Sequence, residues 1–363
     1  MNIIFLSYNY SADIRSPDEW IKRINFYTGW SEYLSQKHTV IRVDQINYTG
    51  NFNHNGIQYY CVDDGKKKNY FPRKLNQFVK DLDPDVVIVS SFRFPLQIIQ
   101  LRFRLGKKVK IIIQHHAEKP FNGLKKLIQK YASSKADAFL FTSQETGAEW
   151  VKNNNLDKIN KVHELPEVSS SFYPIERKSA IKITNVSGSP VFLWVGRLNS
   201  NKDPLTVVRA FLKFATLQPT AKLYMIYQTS ELALEIGSML STNPENSPVI
   251  LEGNKSHNDL LYWFNSVDFY ISASHYEGSG TALCEAMSCG CIPIVSNIPS
   301  FRTIADNSGL YFEPGDADGL FSLLKDSIHL NLNDNRKIVL ELFRDNLSFK
   351  AISDKFQKIL ESL

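Results

Sequence analysis

Short apolar runs separated by helix-patterned stretches recur along this chain in two series, and that alternation most limits how it can fold. The first series is Ile3–Ser7, Val40–Val43, Val86–Val89, Ile111–Ile113 and Ala138–Thr142. Helical stretches such as Trp20–Gln36, Phe71–Asp81 and Asn122–Ser134 lie between them. The second is Val191–Val195, Leu223–Ile226, Val249–Leu251, Phe269–Ser272 and Ile292–Val295, then helices Asp318–Ile328 and Asn335–Phe343. Uniformly apolar strands alternating with helices predict parallel sheets covered on both faces. Between the series, Ser169–Ser189 breaks the periodicity with a serine run, Pro174 and Gly188-Ser189-Pro190, and reads as a linker. At 363 residues the chain is long for one core. The reading is α/β, with doubly wound domains over 1–175 and 190–345. The segment 346–363, holding the amphipathic stretch Phe349–Leu363, forms a terminal helix.

Composition excludes several classes. Hydrophobic content of 43% and charged content of 22% are ordinary for a globular protein. No apolar run spans a bilayer, and the opening MNIIFLSYNY has no basic region, so it reads as a first strand rather than a signal peptide. Cysteine is sparse, and Cys284, Cys289 and Cys291 lack both a fourth ligand and zinc-site spacing; they read as core residues of a reducing compartment, the cytoplasm. A net charge of +5 is too mild for a nucleic-acid partner. The basic residues crowd the first half, at Lys66-Lys67-Lys68, Arg102, Arg104, Lys107, Lys108, Lys110 and Lys125-Lys126. They serve as solvated faces or as a peripheral contact with the inner face of an anionic membrane, with Leu96–Leu105 as an interfacial helix.

The chemistry concentrates in Ser274–Ser296, SHYEGSGTALCEAMSCGCIPIVS. Glu277 opens a small-residue loop, Gly278-Ser279-Gly280-Thr281, which leads into a predicted helix, Ala282–Ser288, carrying Glu285. Glycine lets backbone approach a ligand closely, and a helix start aims free N–H groups at an anion. The pattern predicts a phosphate cradle with a carboxylate on each side. Leu283 stands where a third glycine would complete Gly-x-Gly-x-x-Gly, so a dinucleotide site is not expected. Arg197 ends the strand Val191–Val195 in Val-Gly-Arg, and Lys202 follows five residues later; both suit phosphate oxygens.

Glu277, Glu285 and the Glu-Ala-Met-x-x-Gly-x-x-Pro that follows resemble the Glu-x7-Glu motif of retaining glycosyltransferases of family 4. The resemblance extends to Ser266–Ser272 upstream and to Gly309–Phe312 and Pro314-Gly315-Asp316 downstream. It implies the GT-B fold, two Rossmann-like domains facing an interdomain cleft, with the last helix crossing back onto the first. It implies that Arg197 and Lys202 bind a diphosphate, that Glu285 accepts hydrogen bonds from ribose hydroxyls, and that Glu277 meets the donor sugar. A histidine at the end of the Ile111–Ile113 strand belongs near that sugar; His116 fits best by spacing, with His115 the alternate. Adjacent residues on a strand point to opposite faces, so at most one serves.

A catalytic metal is not expected. Asp83-Pro84-Asp85 precedes its strand and reads as a turn, and Asp316-Ala317-Asp318 as a turn and helix cap. The sequence departs from the family in Pro17-Asp18-Glu19-Trp20-Ile21, where a Gly-Gly pair is common; Trp20 would stack on a sugar or plug the site. The expected activity is retaining transfer of a sugar from a nucleoside diphosphate sugar to a glycan or lipid-linked acceptor, in cell-surface polysaccharide synthesis, with no cofactor. The alternatives are a catalytically silent nucleotide-sugar-binding subunit and a nucleotide-sugar epimerase. Two carboxylates alone would also suit a glycosidase, but a diphosphate leaving group needs charge stabilisation more than a general acid.

Overall fold

The computed structural model describes residues 1–63, 71–240 and 247–363, so Lys66-Lys67-Lys68 lies outside the described residues. The chain forms two compact units, Met1–Ser169 with Ser348–Leu363, and Ser170–Leu347.

The first unit runs β1 Asn2–Ser11, α1 Pro17–Ser35, β2 Thr39–Ile46, β3 Gly50–His54, β4 Ile57–Val62, α2 Arg73–Asp81 and β5 Val86–Ser90. It continues α3 Pro95–Leu105, β6 Lys110–Gln114, α4 Gly123–Ser133, β7 Ala138–Phe141, α5 Gln144–Lys152 and β8 Val162–Glu164. The sheet order is β3-β4-β2-β1-β5-β6-β7-β8, parallel except for β3, which pairs antiparallel with β4. The two-residue period of a strand divides β1 between two cores. Ile3 and Phe5 pack with Trp30 of α1, whereas Ile4 and Leu6 pack with Leu75 of α2 and Ile98 of α3. The β3–β4 hairpin is absent from the sequence reading, which expected a wholly parallel sheet. Its strands alternate polar and apolar residues, and its turn is Asn55-Gly56, both at positive φ.

The second unit runs α6 Arg177–Thr184, β9 Val191–Gly196, α7 Pro204–Ala215, β10 Lys222–Tyr227, α8 Ala233–Leu240, β11 Val249–Gly253 and α9 His257–Ser266. It continues β12 Phe269–Ser272, α10 Thr281–Ser288, β13 Ile292–Ser296, α11 Pro299–Ala305, β14 Leu310–Phe312, α12 Ala317–Ser327 and α13 Leu332–Leu342. All strands are parallel, in the order β11-β10-β9-β12-β13-β14. Winding reverses between β9 and β12, which creates the crevice where open α/β sheets bind ligands. The segment read as a linker holds α6, which buries Ala180 and packs beside α9; Arg177 forks onto the buried Asp268 carboxylate. Burial that a propensity reading does not see makes this stretch helical.

The last helix, α14 Phe349–Ser362, belongs to the first unit. Ile352 and Phe356 are fully buried beside α1, with the Phe356 and Trp30 rings 5.1 Å apart. Gly29 makes the approach possible: a Cβ there would lie 2.7 Å from the Phe349 ring.

Candidate active site

In the second unit the predicted residues gather where the sheet reverses. β9 delivers Arg197 and the loop to Lys202 at its carboxyl end; β12, its neighbour, delivers the loop Ala273–Gly280. Arg197 is exposed and makes no ion pair among the described residues. The Lys202 ammonium donates to the Glu277 carboxylate, which also accepts from the Ser274 hydroxyl at 3.0 Å. The two loops are stitched together besides. The His275 amide donates to the Asn201 carbonyl at 2.8 Å, and the Asn201 side-chain amide donates to the Tyr276 carbonyl at 3.0 Å. Asp203, in the left-handed region at φ 43°, caps α7 through the Thr206 amide and lies 3.2 Å from His275 Nε2.

Gly278 and Gly280 are buried, and Ser279 and Thr281 are half-buried beside them. Gly280 sits at φ 65°, and a Cβ there would meet Ile304 Cδ1 at 2.6 Å, so the position needs glycine on two counts. It precedes α10 without a side-chain cap, leaving the first-turn amides to a ligand. Helix α10 starts one residue earlier than the sequence suggests.

Glu285 is 5% exposed and sits in the helix with its side chain paired, among the described residues, to His257, the first residue of α9: its Oε1 lies 2.7 Å from Nε2. That contact raises the His257 pKa above its ordinary value, against a smaller opposing effect of burial. The Phe172 ring covers His257, centroids 4.8 Å apart. Sequence reading gave no role to His257, His275, Asn201 or Asp203. Only their position beside recognised motifs hinted at them.

In the first unit, His115 and His116 lie just past the end of β6 and diverge. His115 is buried, stacked on Phe141 at 4.6 Å, with Nε2 against the Glu118 carbonyl at 3.0 Å. It is core. The His116 Nδ1 binds the Glu167 carboxylate, its amide donates to Glu118 at 2.7 Å, and its Nε2 has no partner among the described residues. Burial works against the His116 cation, but Glu167 and Glu118 together outweigh it and the pKa is raised. Glu167 is the residue that the sequence reading missed. Trp20 is no sugar platform: it is 6% exposed, lies in the core, and donates from Nε1 to the buried Asp44 carboxylate at 2.9 Å.

Asp85 accepts from the Asn2 amide at 2.7 Å, and Asp83 turns at φ 50°. Asp316 caps α12 through the Gly319 amide. Both Asp-x-Asp stretches therefore have structural partners. Among the described residues no group of three or more His, Cys, Asp or Glu is placed to hold a metal ion. Cys61, Cys284, Cys289 and Cys291 are free and buried. No described helix is long and apolar enough to cross a membrane.

Residues 176–339, which hold this crevice, match the family described as Glycosyl transferases group 1. The match covers most of the second unit, Ser170–Leu347. A glycosyltransferase from Rickettsia africae ESF-5 shares the fold, with TM-score 0.76 at 16% identity over 99% of this chain and 98% of that one. Anabaena Alr3699/HepE in complex with UDP gives TM-score 0.75 at 13% identity, covering 100% of both chains. The fold is GT-B. Among curated relatives, the GDP-mannose:cellobiosyl-diphosphopolyprenol alpha-mannosyltransferase of Xanthomonas campestris is 29% identical over 118 residues, 32% of this chain and 31% of that protein. The match thus spans about a third of that relative's length.

Proposed function

We infer that this group 1 glycosyltransferase moves a hexosyl group, with retention, from a nucleoside diphosphate sugar to a glycan or lipid-linked acceptor in cell-surface polysaccharide synthesis. The observation that carries the reading is the convergence of Arg197, Lys202 and the uncapped start of α10 where β9 and β12 reverse the winding of the sheet. Two cations and a helix N-terminus there make a diphosphate cradle. The diphosphate is the leaving group, so charge fixed in advance around it lowers the barrier to breaking the sugar C1–O bond. The electron pair leaves with the phosphate oxygen, which takes the proton of the acceptor hydroxyl as that oxygen bonds C1 from the same face.

Glu285 accepts from the ribose hydroxyls, with His257 fixing its carboxylate. Glu277 holds Lys202 in place until the donor arrives and then accepts from sugar hydroxyls. Gly278, Ser279, Gly280 and Thr281 bring backbone amides and hydroxyls to the phosphates. His116 is the histidine assigned to the donor sugar: Glu167 holds its Nδ1, which leaves Nε2 for a sugar oxygen.

The name of the Xanthomonas campestris relative makes GDP-mannose the first donor to test. Thermal melts are taken with GDP-mannose and with UDP- and ADP-sugars, for the wild type and Glu285→Ala. A donor at about 100 times its dissociation constant stabilises the fold by about 2.7 kcal/mol. Stabilisation by one nucleotide series that is lost in the variant supports the donor site; silence toward all three sinks it. Turnover with an acceptor extract, and NMR of the new anomeric centre, then test transfer and retention. Binding without turnover favours the silent subunit, and a changed stereocentre in the donor favours an epimerase.

A further inference from the structure

Helix α4 is arranged the wrong way round for a helix packed on a sheet. Its buried side chains are Gln129, Ala132 and Ser133. Leu124, Leu127, Ile128 and Tyr131, spaced i, i+3, i+4, i+7, point to solvent, with Leu124 82% and Leu127 63% exposed. That spacing draws one stripe on one face, the pattern a helix normally buries. The inward polar residues are not misplaced. Gln129 accepts from the Phe121 amide at 3.0 Å and the Asn155 side chain at 2.7 Å, and donates to the Phe92 carbonyl at 3.0 Å. The outward stripe is therefore fixed by bonds on the inner side.

Charge says what covers it. Lys125 and Lys130, both exposed, flank the stripe on either side. From Arg93 to Lys135 the sequence holds eleven basic residues and one acid, Glu118. Glu118 is buried, with its carboxylate on the Phe92 and His116 amides. The next acid, Asp137, is paired with Arg102. Beside α4, the end of α3 leaves Phe103 74% exposed. Phe103, Lys107 and Lys135 line an open groove of about 530 Å³ between the two helix ends. The Lys135 ammonium rests over the Tyr131 ring, 4.4 Å from its centroid. A protein partner of opposite charge would not explain four apolar side chains in a row. A bilayer with anionic headgroups takes both, the apolar stripe below the headgroups and the lysines among them.

The geometry points to α4 as a membrane-docking helix that sits flat on an anionic bilayer, with the α3–α4 groove over lipid phosphates. The site differs from the sequence reading, which placed the interfacial helix at Leu96–Leu105. In α3 the Arg102 guanidinium is spent on the Lys135, Gly106 and Val109 carbonyls and on Asp137. This inference is independent of the transferase reading.

The test is co-sedimentation of the whole chain with vesicles of phosphatidylcholine alone and of phosphatidylcholine mixed with phosphatidylglycerol. The expected result is binding to the mixed vesicles only. It weakens about fivefold for each of Lys125 and Lys130 replaced by Gln, and falls as salt rises from about 0.1 M to about 1 M. Leu124→Ser with Leu127→Ser removes the binding while leaving the melting temperature unchanged, because both side chains are already in water. Protein that stays in the supernatant, equal binding to neutral vesicles, or undiminished binding by the double variant overturns it. So does a lipid-free dimer, seen by light scattering, that the same variant dissolves; a second copy would then be the occupant.

Discussion

The Glu167 carboxylate against His116 Nδ1 decides what that ring can do, because it leaves the buried Nε2 as the ring nitrogen without a partner among the described residues. Burial lowers and Glu167 raises the pKa of His116, and the net shift is upward. A folded-state pKa above the unfolded value of about 6.5 contributes stability that is complete below that pH and lost as pH rises through the folded pKa. Glu167→Gln removes the charge and should lower the His116 pKa, read from its ring-proton NMR titration. The variant should also lose about 1.5–3 kcal/mol, the range for a hydrogen bond to a charged group, in melts below pH 6 but not near pH 9. An unmoved titration would show that another group holds the ring. A second substitution addresses the diphosphate. Lys202→Met leaves Glu277 without its partner and removes one charge from the leaving group. Loss of such a preorganised group costs about 3–4 kcal/mol in the barrier, a fall in kcat of two to three orders of magnitude that a donor-hydrolysis or transfer assay would detect. A kcat within a factor of a few of wild type would remove Lys202 from the chemistry.

Elements differ in how far their residues announce them. Strands β9, β10, β12 and β13 were legible because a strand buried on both faces is an apolar run, and nothing but burial sets its pattern. The β3–β4 hairpin was not, because an edge strand alternates, although Asn55-Gly56 carried the turn signal. Helix α6 was hidden because its stability comes from α9 and from Asp268, far away in sequence. The site divides in the same way. Glu277 to Glu285 is one loop and one helix, so spacing encodes its shape. Glu167, His257 and Asn201 reach their partners across 51, 28 and 75 residues, and spacing says nothing about contacts made by folding. The loop before α10 gives the element-scale prediction. Gly280→Ala puts a side chain at φ 65° and 2.6 Å from Ile304 Cδ1. The left-handed conformation alone costs about 1–2 kcal/mol, so the melting temperature should drop and donor affinity should fall with it. Unchanged affinity in a variant that still folds would show that the start of α10 is not where the phosphates bind.

At the scale of the whole molecule the chain crosses between its two units twice, near Ser169 and again near Leu347, so the first unit is closed by the last residues of the chain. Helix α14 is capped by Ser348 through the Ala351 amide and buries Ile352, Phe356 and Ile359 in the core that holds Trp30 and Phe5. The Lys110 ammonium reaches the Leu363 carbonyl at 2.7 Å, and Lys355 reaches Glu164 at 3.2 Å, so the helix is also tied at its exposed edge. Exposed ion pairs of that kind contribute little, and the apolar contacts decide the outcome. Burying one large apolar side chain stabilises by about 1.5–3 kcal/mol, so the three together amount to about 5–9 kcal/mol. That is comparable to the whole stability of a typical domain, about 5–15 kcal/mol. Removing residues 348–363 should therefore unfold the first unit while the second, whose core contains no residue of α14, keeps its own melting transition. Calorimetry of the truncated chain should show one transition, and it should still move with a nucleoside diphosphate sugar if the donor site lies wholly in the second unit. Phe356→Ala is the milder form of the experiment. A cavity left by a buried phenylalanine costs about 3–5 kcal/mol, which should lower the transition of the first unit alone. A truncated chain that melts like the intact protein would mean that the first unit folds without α14 and that the buried contacts with Trp30 are dispensable.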